Sequence, residues 1–124
     1  MKTRNIKLII RDKKDAMKVF AESLERSRKG ENVIMHEEIS FQNIDTLRKV
    51  LTEKRIELLH LIKRHAPESI YELARIVDRD LKSVNTDLHV LTSLGLVVLK
   101  TTKEERKRTV PKVEFDRLNV EIAI

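Results

Sequence analysis

Residues 67–97, PESIYELARIVDRDLKSVNTDLHVLTSLGLV, decide how this chain folds, because they hold two helical periods separated by one short break. In the second half Leu81, Val84, Leu88 and Leu91 recur at intervals of three and four, so a helix over 81–93 buries that stripe. Lys82, Ser83, Thr86, His89 and Ser93 then face outward, with Asn85 toward the flank. Asp87 is the only carboxylate of that helix after Asp80, although 37% of the chain is charged. In the first half Ile70, Leu73, Ala74 and Val77 give the inward stripe. Ser69 and Glu72 stand at the spacing of a capping box, each able to satisfy a backbone donor of the other. The DRD at 78–80 breaks the period, and Asp80 is placed to cap the second helix. A short side chain at Ala74 permits close crossing of the two helices, and Gly95 can take the left-handed conformation that ends the second.

Working outward, Thr52 can cap a preceding helix, EKRIELLHLIKRH, with Ile56, Leu59 and Ile62 at the centre of an apolar face widened by Leu58 and Leu61. Pro67 stops it and restricts Ala66. Before it, NIDTLRKVL predicts a short helix with Ile44, Leu47, Val50 and Leu51 on one side. Downstream, LVVLKT and RTVPKVEF flank the charged TKEERK, the pattern of a hairpin, and Pro111 confines the second strand to an edge or bulge. NIKLII reads as a strand, followed by a helix with Met17, Phe20, Ala21 and Leu24 that ends at Gly30. Residues 33–41 read as a strand or extended connector, and RLNVEIAI alternates as a half-buried strand.

The expected fold is mainly α with a small β wing. A winged helix-turn-helix domain over 43–113 lies between an N-terminal strand-helix extension, 1–42, and a C-terminal strand, 114–124. A strand carrying an apolar row and open backbone groups is satisfied by pairing with a second chain, so the extensions are the expected homodimerisation elements.

Composition narrows the partners. The 124 residues include no Cys, which excludes a disulfide framework, a thiolate zinc site and a cysteine nucleophile. Apolar runs reach only four or five residues, too short for a bilayer, and no signal-peptide core opens the chain; a cytoplasmic location is expected. The net charge of +6, with a pI of 9.7, favours polyanions, nucleic acid before membrane.

A helix-turn-helix followed by a basic hairpin gives the outward face of 81–93 a chemical purpose. In a winged helix this helix enters the major groove and the hairpin, 100–112, lies along the backbone. Lys82, Ser83, Asn85, Thr86 and His89 suit base edges or phosphates, and few acids means little repulsion from phosphate. The hairpin tip supplies Lys103, Arg106, Lys107 and Arg108, with Lys100 and Lys112 extending the cationic edge. Ser69, Tyr71 and Arg79 are placed to fix the register on phosphate.

The same residues carry a family resemblance. PESIYELARIVDRDLKSVNTDLHVLTSLGLV, preceded by LTEKRIELLHLI, resembles small prokaryotic, especially archaeal, DNA-binding proteins allied to the MarR-type winged-helix regulators. A weaker likeness runs through ISFQNIDTLRKVL and VPKVEFDRLNVEI. The resemblance implies a transcriptional regulator or an antitoxin-like DNA-binding protein working as a dimer, with Ser69, Arg79, Lys82, Ser83, Asn85 and Thr86 as groove or phosphate contacts.

Blander readings stand beside these. The run KEERKR can be a solvated face, and the outward helix face can meet a protein rather than DNA. His36, His60, His65 and His89 lack ligand spacing, so no metal is assigned. The neighbouring acids Glu37 with Glu38 and Glu104 with Glu105 lack a catalytic setting; neither an enzymatic activity nor a cofactor is expected. RNA is disfavoured because the aromatic platforms of common RNA modules are missing.

Overall fold

The computed structural model describes residues 4–11, 38–103 and 107–124. Along them run β1 (Asn5–Ile10), β2 (Glu38–Phe41), α1 (Ile44–Val50), α2 (Glu53–His65), α3 (Ile70–Val77), α4 (Leu81–Ser93), β3 (Val98–Thr101), β4 (Thr109–Lys112) and β5 (Arg117–Ile122). With four helices and five strands among the described residues, the chain is mixed α/β rather than mainly α. It divides into two units, Met1–Lys49 with Phe115–Ile124, and Val50–Glu114. The two terminal segments therefore form one unit rather than two separate extensions. The helix expected around Met17 to Gly30 lies outside the described residues, as does the start of the 33–41 segment.

The terminal unit holds a sheet of order β2-β1-β5, with β1 parallel to both neighbours. Ile6, Leu8 and Ile9 are buried, so the central strand hides apolar side chains on both faces near its end, as strands inside parallel sheets do. The Arg4 amide donates to the Asp116 carboxylate at 2.9 Å and the Asp116 amide to the Arg4 carbonyl at 2.7 Å, which sets the register of β1 on β5. β5 is thus paired within its own chain along one side. Leu118 is half-buried, but Val120 and Ile122 are 54% and 49% exposed, against the expectation of a half-buried row. Their strand is an edge with no neighbour on its outer side among the described residues. In α1 only Leu47 is buried; Asn43 caps the helix through the Thr46 amide at 2.8 Å, and Ile44 is exposed.

In the second unit three caps set the helices. The Thr52, Ser69 and Asp80 side chains accept from the Arg55, Glu72 and Ser83 amides, each worth about 1 kcal/mol. The return arm of the capping box falls one residue early, since Glu72 accepts from the Glu68 amide at 3.3 Å rather than from Ser69. α2 closes on Ala66, which is left-handed at φ 45°, and the Ala66 amide reaches the Ile62 carbonyl at 3.1 Å. The next residue, Pro67, has no N–H, so the second bond of a Schellman ending cannot form. α3 makes both bonds, with left-handed Asp78 where glycine is usual, and Arg79 donating to the Ala74 carbonyl. α4 does the same around Gly95 at φ 77°, where the Leu96 amide reaches the Leu91 carbonyl at 2.9 Å.

The core of this unit is Leu58, Leu59, Ile62, Leu73, Ala74, Val84, Leu88, Leu91, Leu96 and Val97. Two residues depart from the expected stripes. Ile56 is 38% exposed, and Arg55 occupies the inward position beside Leu58 and Leu59. Leu81 is 45% exposed, because the inward stripe of α4 begins at Val84 and runs through Asp87. β3 and β4 form an antiparallel hairpin with Leu99 opposite Pro111. Both strands of a two-stranded hairpin are edges, which is where proline is tolerated.

Candidate functional site

The site begins with a charge that is hidden. Asp87 is buried, and its carboxylate accepts from Arg79 Nη2 at 2.7 Å and Arg55 Nε at 3.0 Å. Arg55 also donates to the Val50 carbonyl at 2.7 Å, so one guanidinium joins the start of the unit, α2 and α4. Burial pushes the Asp87 carboxyl up, but the hydrogen bonds and charges of Arg79 and Arg55 outweigh it and hold the group below the ordinary carboxylate range. The single acid in the body of α4 is therefore withdrawn from its outward face. The same geometry turns Arg79 inward: the cation expected on phosphate is engaged by Asp87.

The N-terminus of α4 is held by Asp80. The Ser83 hydroxyl and amide both donate to its carboxylate, at 2.7 and 2.9 Å, and in that order they hold the Asp80 carboxyl below the ordinary carboxylate range. Ser83 is thus part of the cap. Lys82, Asn85, Thr86 and His89 are exposed along the outward face, and the Thr86 hydroxyl donates to the Lys82 carbonyl at 3.0 Å. That bond orients Thr86 and leaves its lone pairs available to accept.

The expected contact residues of this unit gather around concavities. One, of about 860 Å³, runs from the start of α3 to the hairpin and gathers Ser69, Tyr71, Arg75, Asn85, Lys107 and Arg108. The other follows α4 and is lined by Leu81, Lys82, Asn85, Thr86, His89 and Val90. Eight of the twelve expected contact residues therefore line these neighbouring hollows. Ser69 serves chiefly as the α3 cap, whereas Tyr71 is 65% exposed with its ring in solvent.

The hairpin loop is closed at its base. The Thr102 amide donates to the Arg108 carbonyl at 2.9 Å and the Arg108 amide to the Thr102 hydroxyl at 3.1 Å, so Lys103 and Lys107 stand beyond a fixed neck. Arg108 reaches Glu68 at 3.4 Å and Lys100 pairs with Glu114 at 2.9 Å. Lys100 keeps 59% of its side chain exposed within that pair. Arg106 lies outside the described residues, and Lys103 lines neither concavity.

Sequence reasoning missed Leu81 and Arg75 as surface residues and Arg55 as a partner of Asp87. The signal for the last was present, since 84, 87, 88 and 91 form one helical stripe and place the carboxylate inside. Among the described residues there is no cluster of three or more His, Asp or Glu able to hold a metal, and no helix long and apolar enough to cross a membrane.

Fold and site define a mixed α/β chain in which a helix pair and a hairpin present polar and cationic side chains around two hollows. Residues 50–120, more than half of the chain, match the model of the HVO_A0114 family, and the chain belongs to that family. The comparisons with curated proteins and with solved structures give no match.

Proposed function

We propose that this protein is a sequence-selective double-stranded DNA-binding regulator of the winged helix-turn-helix type, working as a homodimer, with α4 in the major groove and the hairpin on the backbone. The observation that carries the reading is the withdrawal of Asp87: two arginines neutralise the one acid in the body of α4, which leaves an outward face of Lys82, Asn85, Thr86 and His89. Such a face accepts phosphate without repulsion and offers donors and acceptors to base edges. The α3–α4 connection of residues 78–80 has the length of a helix-turn-helix turn, and the β3–β4 hairpin follows directly. Lys107 and Arg108 face the same concavity as Asn85, the relation a groove helix and a backbone-gripping wing require. For the dimer, the open edge of β5 with exposed Val120 and Ile122 offers a self-complementary strand.

The test is fluorescence anisotropy of a labelled random-sequence duplex titrated with the full chain at several salt concentrations. Binding should weaken steeply as salt rises, since each phosphate neutralised releases condensed counterions. Absence of binding at low salt would overturn the proposal and favour a protein partner for the same face.

A further inference from the structure

Two residues belong to both concavities, Leu81 and Asn85, one helical turn apart on α4. Leu81 is the one large apolar side chain of α4 that stands exposed among the described residues, and it occupies the first helical position. The fully buried stripe of α4 is Val84, Leu88 and Leu91, and Asp80 supplies the cap, so Leu81 lies outside the helix's central packing. A leucine cannot hydrogen-bond to a base or neutralise a phosphate, so its place among Lys82, Asn85 and Thr86 calls for an apolar group on the ligand.

Resting on the DNA-binding reading above, we infer that Leu81 and Asn85 together select an A·T base pair, the leucine against the thymine C5-methyl and the Asn85 amide on the adenine edge. In the major groove the methyl group belongs to thymine, and adenine presents the N7 acceptor and N6 donor that an asparagine amide meets with two hydrogen bonds. Side chains four apart on a helix have Cβ atoms about 5–6 Å apart, so both reach the same base pair or its neighbour. The N-terminal turn of a groove helix is also the part that approaches base edges. Charge complementarity commits the hollow to this occupant: Lys82 borders it, Lys107 and Arg108 stand across the adjoining one, and Asp87 is turned away. Glu72 lines the far side, where its carboxylate already accepts from the Glu68 amide.

The test uses three labelled duplexes of equal length, alternating d(AT), alternating d(AU) and alternating d(GC), at one salt concentration. Deoxyuridine differs from thymidine only by the missing methyl. The wild-type chain should bind d(AT) about fourfold or more tighter than d(AU), the increment expected for one buried methyl. Leu81→Ala should bring that ratio to one, and Leu81→Met, which keeps an apolar contact, should retain it. Asn85→Ala should erase the preference for d(AU) over d(GC). Equal binding of d(AT) and d(AU) by the wild type would overturn the inference while leaving DNA binding intact. A ratio that persists in Leu81→Ala would also overturn it, by assigning the preference to duplex stiffness. Failure to bind any of the three duplexes would remove the DNA-binding reading itself, and this inference with it.

Discussion

At the scale of single residues the decisive feature is Asp87 between Arg55 and Arg79. Exposed ion pairs add little to stability, whereas removing one member of a buried set strands the others. The set here is mostly buried, so Asp87→Asn should lower stability by roughly 2–4 kcal/mol in urea denaturation. A midpoint equal to wild type would show that the two guanidinium groups are satisfied without it. The pH dependence follows from the direction of the shift. The Asp87 carboxyl is more acidic folded than unfolded, so its contribution is complete above the unfolded value of about 3.9 and drains away as pH falls through the lower folded value. Acid unfolding followed by circular dichroism should therefore be shallower below about pH 4 in Asp87→Asn than in wild type. The sequence reading counted Asp87 as the one acid of the outward face, although its spacing with Val84, Leu88 and Leu91 places it inside; its partners had no local signal, because Arg55 lies 32 residues away and Arg79 is fixed only by the turn.

At the scale of elements, the helices were legible because their signals are local. Thr52, Ser69 and Asp80 cap as their positions require, and Gly95 ends α4 in the left-handed conformation. Leu88 sits at the centre of the α4 stripe with 2% exposure, so Leu88→Ala should cost roughly 2–5 kcal/mol, against about 1 kcal/mol for Ser69→Ala. The order of the two urea midpoints tests the inward face of α4; an unchanged midpoint for Leu88→Ala would reverse it. The parallel sheet was not legible. β1 and β5 meet across 112 residues at Arg4 and Asp116, and no local pattern in NIKLII or RLNVEI names the partner strand. Ile56 and Leu81 misled for a related reason: periodicity identifies a stripe, but neighbouring elements decide which of its edges they cover.

At the scale of the whole molecule, the described residues leave the outer edge of β5 unpaired with Val120 and Ile122 exposed, and light scattering at micromolar concentration should find a dimer that Val120→Lys with Ile122→Lys converts to monomer. A monomeric wild-type chain would end the dimer proposal without touching DNA binding. The division of labour between α4 and the hairpin is the larger claim. Lys82 and Thr86 lie on the helix face, where a base contact is worth roughly 1–3 kcal/mol and depends on the sequence met. Lys107 stands beyond the Thr102–Arg108 neck, and on the proposed reading its long cation meets phosphate, which is the same on every duplex. The most direct measurement titrates wild type, Lys82→Ala, Thr86→Ala and Lys107→Ala against one selected and one scrambled duplex at several salt concentrations. Lys82→Ala and Thr86→Ala should weaken the selected duplex more than the scrambled one, and Lys107→Ala should weaken both alike and lower the salt slope by about one. Loss of sequence preference in Lys107→Ala, with preference intact in Lys82→Ala and Thr86→Ala, would contradict the assignment of α4 as the reading helix.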